Sequence, residues 1–399
     1  MNTENIRDEV ISYVDRISNE IVALTQDLVR IQSINHPPTG EEKDCQDYVY
    51  KYFSEMGLKP DRYLPSDVDS IEMHPAWWPG RDYVGRPNVT SQINGKGEGR
   101  SLLLSGHIDT VPLGTTDWSY DPFGAVVEDG KLYGLGSFDM KGGVAALLSA
   151  VRVIKELDIP LAGNLIAETV VDEEFGGVNG TLAGRLRGYV AEAMIITEPS
   201  GFKIWNGNCG GRFLHLFFRN TGGIALGENV SINVVDQINA FLNHLEEFKQ
   251  RRRSQVKNWQ DLTHNSVPVW ITKISLGGWG TNVPITVPSE AKVEMYWQLL
   301  PGETQEKVDE EFHAWFSQLL TLFPDLFSSL PEVKIPIRFM PASQVAPDHL
   351  FIREMSALLE REQGRTPVIE LGRGPSDLIV VNHFFETCPS IMFGTGGGN

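Results

Sequence analysis

The sequence predicts an α/β fold: a sheet flanked by helices, with a smaller α+β unit inserted into it. Three observations carry that expectation. Apolar runs short enough for buried strands recur at Leu102–Leu104, Asn164–Val171 and Ala193–Ile196, and each leads into histidine or carboxylates. A strongly apolar helix pattern, Val144 to Ile154, lies between the first two runs. From Phe213 the order changes to strand, helix, strand, strand, helix, and the earlier style returns after about residue 342. At 399 residues the chain is too long for one ordinary core. The expected domains are 1–207 with 342–399, discontinuous, and 208–341 as the insert.

Composition narrows the class. With 41% hydrophobic and 22% charged residues the chain reads as soluble and globular. A formal charge of −18 argues against nucleic acid or an anionic membrane as partner. Three cysteines, Cys45, Cys209 and Cys388, without CxxC spacing, read as reduced thiols. No apolar run is long enough to span a bilayer, and the first thirty residues lack a signal-peptide core. The expected location is therefore the cytoplasm.

In chain order, Val10, Val14, Ile17, Ile21, Leu24, Leu28 and Ile31 predict one long amphipathic helix lying on a sheet. Pro37-Pro38 breaks it, and a second helix runs from Thr39 to Met56, with Gly57 as its cap. Trp77-Trp78 lies in a proline-rich loop and reads as cover for the core, the alternative being the wall of a substrate pocket. Asn88–Ile93 and the Leu102 run read as paired strands joined by the glycines of 95–99. Gly207–Arg212 reads as a glycine-rich linker, and His215 in the following strand as structural. A helix from Ser231 to Phe248 ends on Lys249–Arg253, where basic residues favour the helix dipole. Strands at Val269–Ile274 and Ala291–Leu299, a helix at Thr304–Leu320 and a strand at Val333–Phe339 complete the insert. His349–Glu362 is a helix, Thr366–Leu371 leads into the loop Gly372–Asp377, and Ser390–Phe393 is a last strand before a glycine loop.

The chemistry gathers between residues 100 and 200. His107 and Asp109 are two apart, which on an extended chain puts both on one face, where a carboxylate can fix an imidazole's tautomer. A strand-end turn carrying a solvated His and Asp is the plain alternative. Downstream, Asp139 stands in a glycine-rich turn before the apolar helix, Asp172-Glu173-Glu174 follows one strand, and Glu198 follows another. Four such residues in succession, expected at the carboxyl ends of strands, form the edge where open α/β sheets bind ligands. One histidine with several carboxylates suits zinc or a similar divalent ion better than calcium or magnesium. Glu173 and Glu174, being adjacent, point to opposite sides of an extended segment.

These motifs resemble a known family, the co-catalytic zinc amidohydrolases that include acetylornithine deacetylase, succinyl-diaminopimelate desuccinylase, aminoacylase and glutamate carboxypeptidase. Ser105–Pro112, Asp121-Pro122-Phe123, Gly134–Gly143, Asp172–Glu174 and Thr197–Pro199 carry the resemblance in order and spacing, and weaker similarity covers nearly the whole chain. The resemblance implies a zinc-peptidase-like mixed sheet, with the insert as a lid that also forms a homodimer interface. It implies two zinc ions, with cobalt as a substitute. His107 and Glu198 would hold one ion, Glu174 would help hold the other, and Asp139 would bridge them. Asp109 would orient His107, and Glu173 would be the general base. The implied reaction is hydrolysis of an N-acyl amino acid or small peptide, with Asn282, Arg212 and Arg373 as candidate substrate contacts.

Three departures stand against the family pattern. The family's last metal-binding histidine follows the glycine loop, whereas the sequence in hand reaches only Asn399, and His383 is a poor substitute inside a helix. Ile224 occupies the position of a lid histidine, and Gln298 that of a frequent lid arginine. The departures lead to an expectation of one well-filled metal site, one poorly filled site and weak hydrolysis. They also keep open the alternative of a catalytically impaired metal-binding relative with a binding or structural role.

Overall fold

A computed structural model of the chain describes residues 3–224, 232–256, 269–277 and 285–398. The described chain forms two compact units. The larger comprises Met1–Asn208, Gln344–Gly372 and Ser376–Asn399, and the smaller Cys209–Ser343 with Arg373–Pro375.

The larger unit is built on a nine-stranded mixed sheet with helices packed against it. Its central run, in spatial order, is Ile204–Asn208, Ser390–Met392, Met194–Ile196, Leu102–His107, Leu165–Val170, Asn88–Ile93 and Asp61–Tyr63. Leu102–His107 lies parallel to both its neighbours. All six residues of Leu165–Val170 are buried, as expected for a strand covered on both faces. That strand explains a correction: Asn88–Ile93 pairs antiparallel with it rather than with the Leu102 strand. A strand buried on both faces takes the interior of the sheet, and the 95–99 loop packs on Ala162 and Gly163 instead of closing a hairpin.

The core follows the helix Gly142–Glu156, whose Val144, Leu147, Leu148 and Val151 pack with Leu28, Phe53 and Leu103. Residues 3–30 form two helices, Thr3–Arg16 and Ser18–Arg30, where periodicity alone suggested one. The break falls at Ile17, just ahead of Ser18-Asn19, residue types that compete for backbone hydrogen bonds inside helices. The next helix is shorter than expected, Lys43–Glu55, because Thr39–Gly40 pairs with Asn35–His36. Gly57 follows it in the left-handed conformation (φ 73°). Trp77 packs against the core, and the Arg81 guanidinium lies 4.4 Å from the Trp78 ring centre, so the pair covers the core.

The smaller unit is a four-stranded antiparallel sheet in the order Val269–Leu276, Glu290–Leu299, Gly210–Arg219, Glu332–Lys334, with the helices Val234–Val256 and Gln305–Phe316. Its core is aromatic: Phe241, Phe248, Trp297, Phe312 and Trp315 are fully buried together. The glycine-rich segment before it is extended strand, Ile204–Asn208 and then Gly210–Arg219, not a loose linker. The 234–256 helix runs on past the basic cluster, because Arg252 is buried in ion pairs with Glu303 and Glu311 instead of facing solvent at a helix end. The last strand stops at Lys334, since Pro336 has no N–H to continue a ladder. His215 pairs across the sheet with Glu294 at 3.1 Å.

Candidate metal centre

His107 ends the Leu102–His107 strand, Asp172–Glu174 follows Leu165–Val170, and Glu198 follows Met194–Ile196, so three neighbouring parallel strands open onto one edge. The fourth contribution differs from the expected strand end. Asp139 sits in a tight turn, Ser137–Lys141, leading into the Gly142–Glu156 helix. Close backbone approach holds these pieces together: a Cβ on Gly143 would lie 2.0 Å from the Thr197 carbonyl oxygen, and one on Gly394 would lie 2.4 Å from the Glu198 carbonyl oxygen. The 394–398 glycine loop thus reaches the site, with Gly397 packed against Phe138.

The side chains converge as two overlapping sets. His107, Asp139 and Glu174 form one, and His107, Glu173 and Glu198 the other, with the ligand-type atoms of each set within 4.8 Å of one another. His107 Nε2 lies 2.9 Å from Asp139, 3.5 Å from Glu198 and 4.0 Å from Glu173. Asp139 is half exposed, whereas His107 and Glu198 are buried. Among the described residues no lysine or arginine forms an ion pair with Asp139, Glu173, Glu174 or Glu198.

The electrostatics express that crowding. Burial would lower the His107 pKa, but the hydrogen bond to Asp139 and the charges of Glu198 and Glu173 raise it well above the usual value. Burial, then the Asp139 charge, pushes Glu198 well up. Burial does the same to Glu173, partly offset by His107, and pushes Glu174 up to about 8. A buried knot of carboxylates around one imidazole, without other cations, fits divalent metal ions as the missing positive charge.

Asp109 behaves differently from the simple spacing argument. The Nδ1 of His107 bonds to the backbone carbonyl of Asp109 at 2.9 Å, while the carboxylate stands 3.6 Å away. That arrangement leaves Nε2, which donates to Asp139 at 2.9 Å, as the nitrogen whose proton a metal ion would displace. The Asp109 carboxylate instead accepts from the backbone N–H of Glu173 (3.2 Å) and of Glu174 (3.0 Å) and from Asn35 Nδ2 (2.9 Å). Glu173 and Glu174 are accordingly not on an extended segment. Asp172 is left-handed (φ 63°), Glu173 is helical, and the chain turns over the Asp109 carboxylate. The two side chains still diverge into different sets.

Several further residues support the centre. Asp172 is buried, accepts from Tyr83 Oη at 2.6 Å and lies 3.4–3.5 Å from Arg81 and Arg86. Arg86 in turn forks onto buried Glu42 at 2.6 and 2.8 Å. Asp377, in the loop after Gly372, is buried and accepts from Thr181 at 2.6 Å, while its Oδ1 has no hydrogen-bond partner. Burial pushes its pKa up to about 7. Asp172 and Asp377 lie in segments that the sequence singles out, whereas Glu42, Arg81, Tyr83 and Arg86 are single residues that carry no pattern.

The three candidate substrate contacts belong to the 209–343 segment and the 373–375 loop. Arg212 is buried in the smaller unit with its guanidinium 2.7 Å from Asp309. Arg373 is exposed, and its carbonyl accepts from Gln298 Nε2. Asn282 lies outside the described residues. Ile224 is exposed, on a two-residue strand paired with Thr286–Val287.

Residues 103–399 match the model of peptidase family M20/M25/M40. The chain is 25% identical over 386 residues to N-formyl-4-amino-5-aminomethyl-2-methylpyrimidine deformylase of Bacillus subtilis, covering 91% of this chain and 84% of that one. It is 26% identical over 386 residues to succinyl-diaminopimelate desuccinylase of Methylobacterium radiotolerans, covering 94% and 88%. Human carnosine dipeptidase 1 shares the fold, with a TM-score of 0.70, 16% identity and coverage of 97% and 91%.

Proposed function

Since the chain belongs to peptidase family M20/M25/M40, we propose that it is a metal-dependent amide hydrolase acting on small N-acyl amino compounds or short peptides. The observation that carries this reading is the pair of overlapping sets, His107–Asp139–Glu174 and His107–Glu173–Glu198. The relatives' names support the substrate class, since a deformylase and a desuccinylase each remove an acyl group from an amine. A free base beside the ligands also favours an enzyme over a purely structural metal site.

His107 and Glu198 would hold one divalent ion, Glu174 would help hold a second, and Asp139 would lie between them. Bound there, such ions polarise the scissile carbonyl and make a water acidic enough to ionise near pH 7, as zinc does at about that value. Glu173 then takes a proton from the attacking water. The water oxygen bonds to the carbonyl carbon, the carbon–nitrogen bond breaks, and Glu173 returns the proton to the departing nitrogen. The products are a carboxylate and an amine. Asp109 keeps Glu173 in place by accepting from its backbone N–H.

Zinc is the proposed ion, with cobalt as a substitute, from the imidazole–carboxylate donor set. The smaller unit is proposed as a lid and homodimer contact. Its edge strand Val269–Leu276 exposes Trp270, Ile274 and Leu276, an apolar edge of the kind a second copy covers. A cytoplasmic location is proposed from composition, and no described helix is long and apolar enough to cross a membrane. The test is metal analysis after gel filtration, followed by chelation and re-addition. Bound zinc, activity lost with the metal and regained with it support the reading. Hydrolysis that survives complete removal of metal refutes it.

A further inference from the structure

A cavity of about 1000 Å³ is lined at the centre by Asp139 and Glu174, and its other walls do not match a carboxylate ligand. Leu113, Trp118, Tyr133 and Phe138 line it, with Tyr120 stacked on Tyr133 at 4.5 Å between ring centres. Val111, Leu113 and Trp118, all in its lining, are exposed apolar side chains, Trp118 being 42% exposed. Solvated apolar side chains gathered on one concave wall mark a binding surface rather than a core. The charged residues in the lining are Asp117, Asp139 and Glu174, and no described lining residue is a lysine, arginine or histidine.

We infer that this cavity is a specificity subsite for an uncharged or cationic aromatic group carried next to the scissile amide. The inference rests on the amide-hydrolase reading above and adds the substrate class. An aromatic ring gains apolar contact and edge or face stacking against Trp118, Tyr133 and Phe138. A ring bearing an amine keeps the same contacts and meets the Asp117 carboxylate and aromatic faces, both of which favour a cation. A carboxylate placed there finds no cationic side chain and lies beside Asp117. Trp118 is fixed for this role by its indole N–H, which donates to the Leu113 carbonyl at 3.1 Å.

Such a ring can belong to either half of the amide, and matched ligands separate the two sources. N-acetylbenzylamine against N-acetyl-β-alanine tests the amine side, and N-phenylacetylglycine against N-succinylglycine tests the acyl side. Binding is measured by calorimetry to zinc-loaded Glu173→Gln protein, so that it does not depend on turnover. kcat/KM is measured in parallel on the zinc-loaded wild type. On at least one side the aromatic ligand binds more tightly than its carboxylate counterpart. Trp118→Ala weakens that aromatic ligand about tenfold or more, as expected for losing one apolar wall, and Trp118→Phe restores most of it. The carboxylate counterpart changes by less than about twofold, consistent with its lying elsewhere. Equal or tighter binding of the carboxylate ligands on both sides, or equal losses for both ligand types in Trp118→Ala, overturns the inference. Aromatic binding without any turnover refutes the hydrolase reading and leaves the subsite standing.

Discussion

Asp109→Asn separates the two ways in which this carboxylate can serve the centre. Its oxygens accept from Glu173 N at 3.2 Å, Glu174 N at 3.0 Å and Asn35 Nδ2 at 2.9 Å. The amide has one acceptor oxygen. In its better orientation it keeps the Glu174 and Asn35 bonds and turns an NH2 toward the Glu173 N–H. One charge-assisted hydrogen bond is lost, worth about 1.5–3 kcal/mol, and a partly buried donor faces another donor. A loss of about 2–4 kcal/mol follows for the metal-loaded protein. In the metal-free protein the loss is smaller, because removing the Asp109 charge also relieves repulsion on Glu174 and Asp377. The bond from His107 Nδ1 to the residue 109 carbonyl is untouched, so the imidazole stays in place. Urea unfolding with and without zinc, chelator competition and turnover of an N-acyl amino acid measure these effects together. The expected pattern is retained binding at His107–Glu198, weakened binding through Glu174 and a fall in kcat. Unchanged stability and turnover would refute the reasoning. Loss of the His107–Glu198 ion with the Glu174 site intact would return Asp109 to the role of imidazole orienter.

Three further outcomes follow from the geometry. Burial raises Asp377 from an ordinary 3.8 to about 7, so the folded metal-free protein holds a proton that the unfolded chain has released across that window. Its contribution to stability therefore falls as pH rises from about 4 to about 7, by on the order of a few kcal/mol, and Asp377→Asn should flatten that slope in urea titrations. A slope unchanged in Asp377→Asn would show that other groups dominate. Gly143→Ala places a methyl 2.0 Å from a backbone oxygen that cannot swing away, and should cost about 3 kcal/mol or more in thermal or urea unfolding. A near-neutral effect would show that the Thr197–Glu198 turn yields easily. Ile274→Glu puts a charge on the exposed edge strand of the smaller unit and should give a monomer by sedimentation, whereas an unaltered dimer would place the contact elsewhere.

The sequence made the segments that meet at the centre legible because each joins a patterned element to a residue of the cluster: apolar strands end on His107 and before Glu198, and glycines frame Asp139. What escaped it was the set of long-range pairings. Nothing local tells Leu165–Val170 to sit between Asn88–Ile93 and Leu102–His107; its burial on both faces does. Spacing put His107 and Asp109 together, yet the bond formed is to the Asp109 carbonyl, because the chain turns and the carboxylate swings under the Glu173–Glu174 backbone. The pair of Arg212 with Asp309, nearly a hundred residues later, is likewise a tertiary contact that no local pattern records. Asn35, Glu42, Tyr83 and Arg86 support the centre only through tertiary contacts, which no periodicity records.

The central claim is that Glu173 serves as the base beside metal ions held by His107, Asp139, Glu174 and Glu198. Glu173→Gln keeps the side chain's size and removes its capacity to take a proton. The deciding measurement is turnover of an N-acyl amino acid by the variant at zinc content and unfolding stability matched to the wild type. The account predicts that metal and fold are retained while kcat falls by at least about 10²–10⁴-fold, the worth of the proton transfer. Wild-type turnover in the fully metal-loaded variant would contradict it.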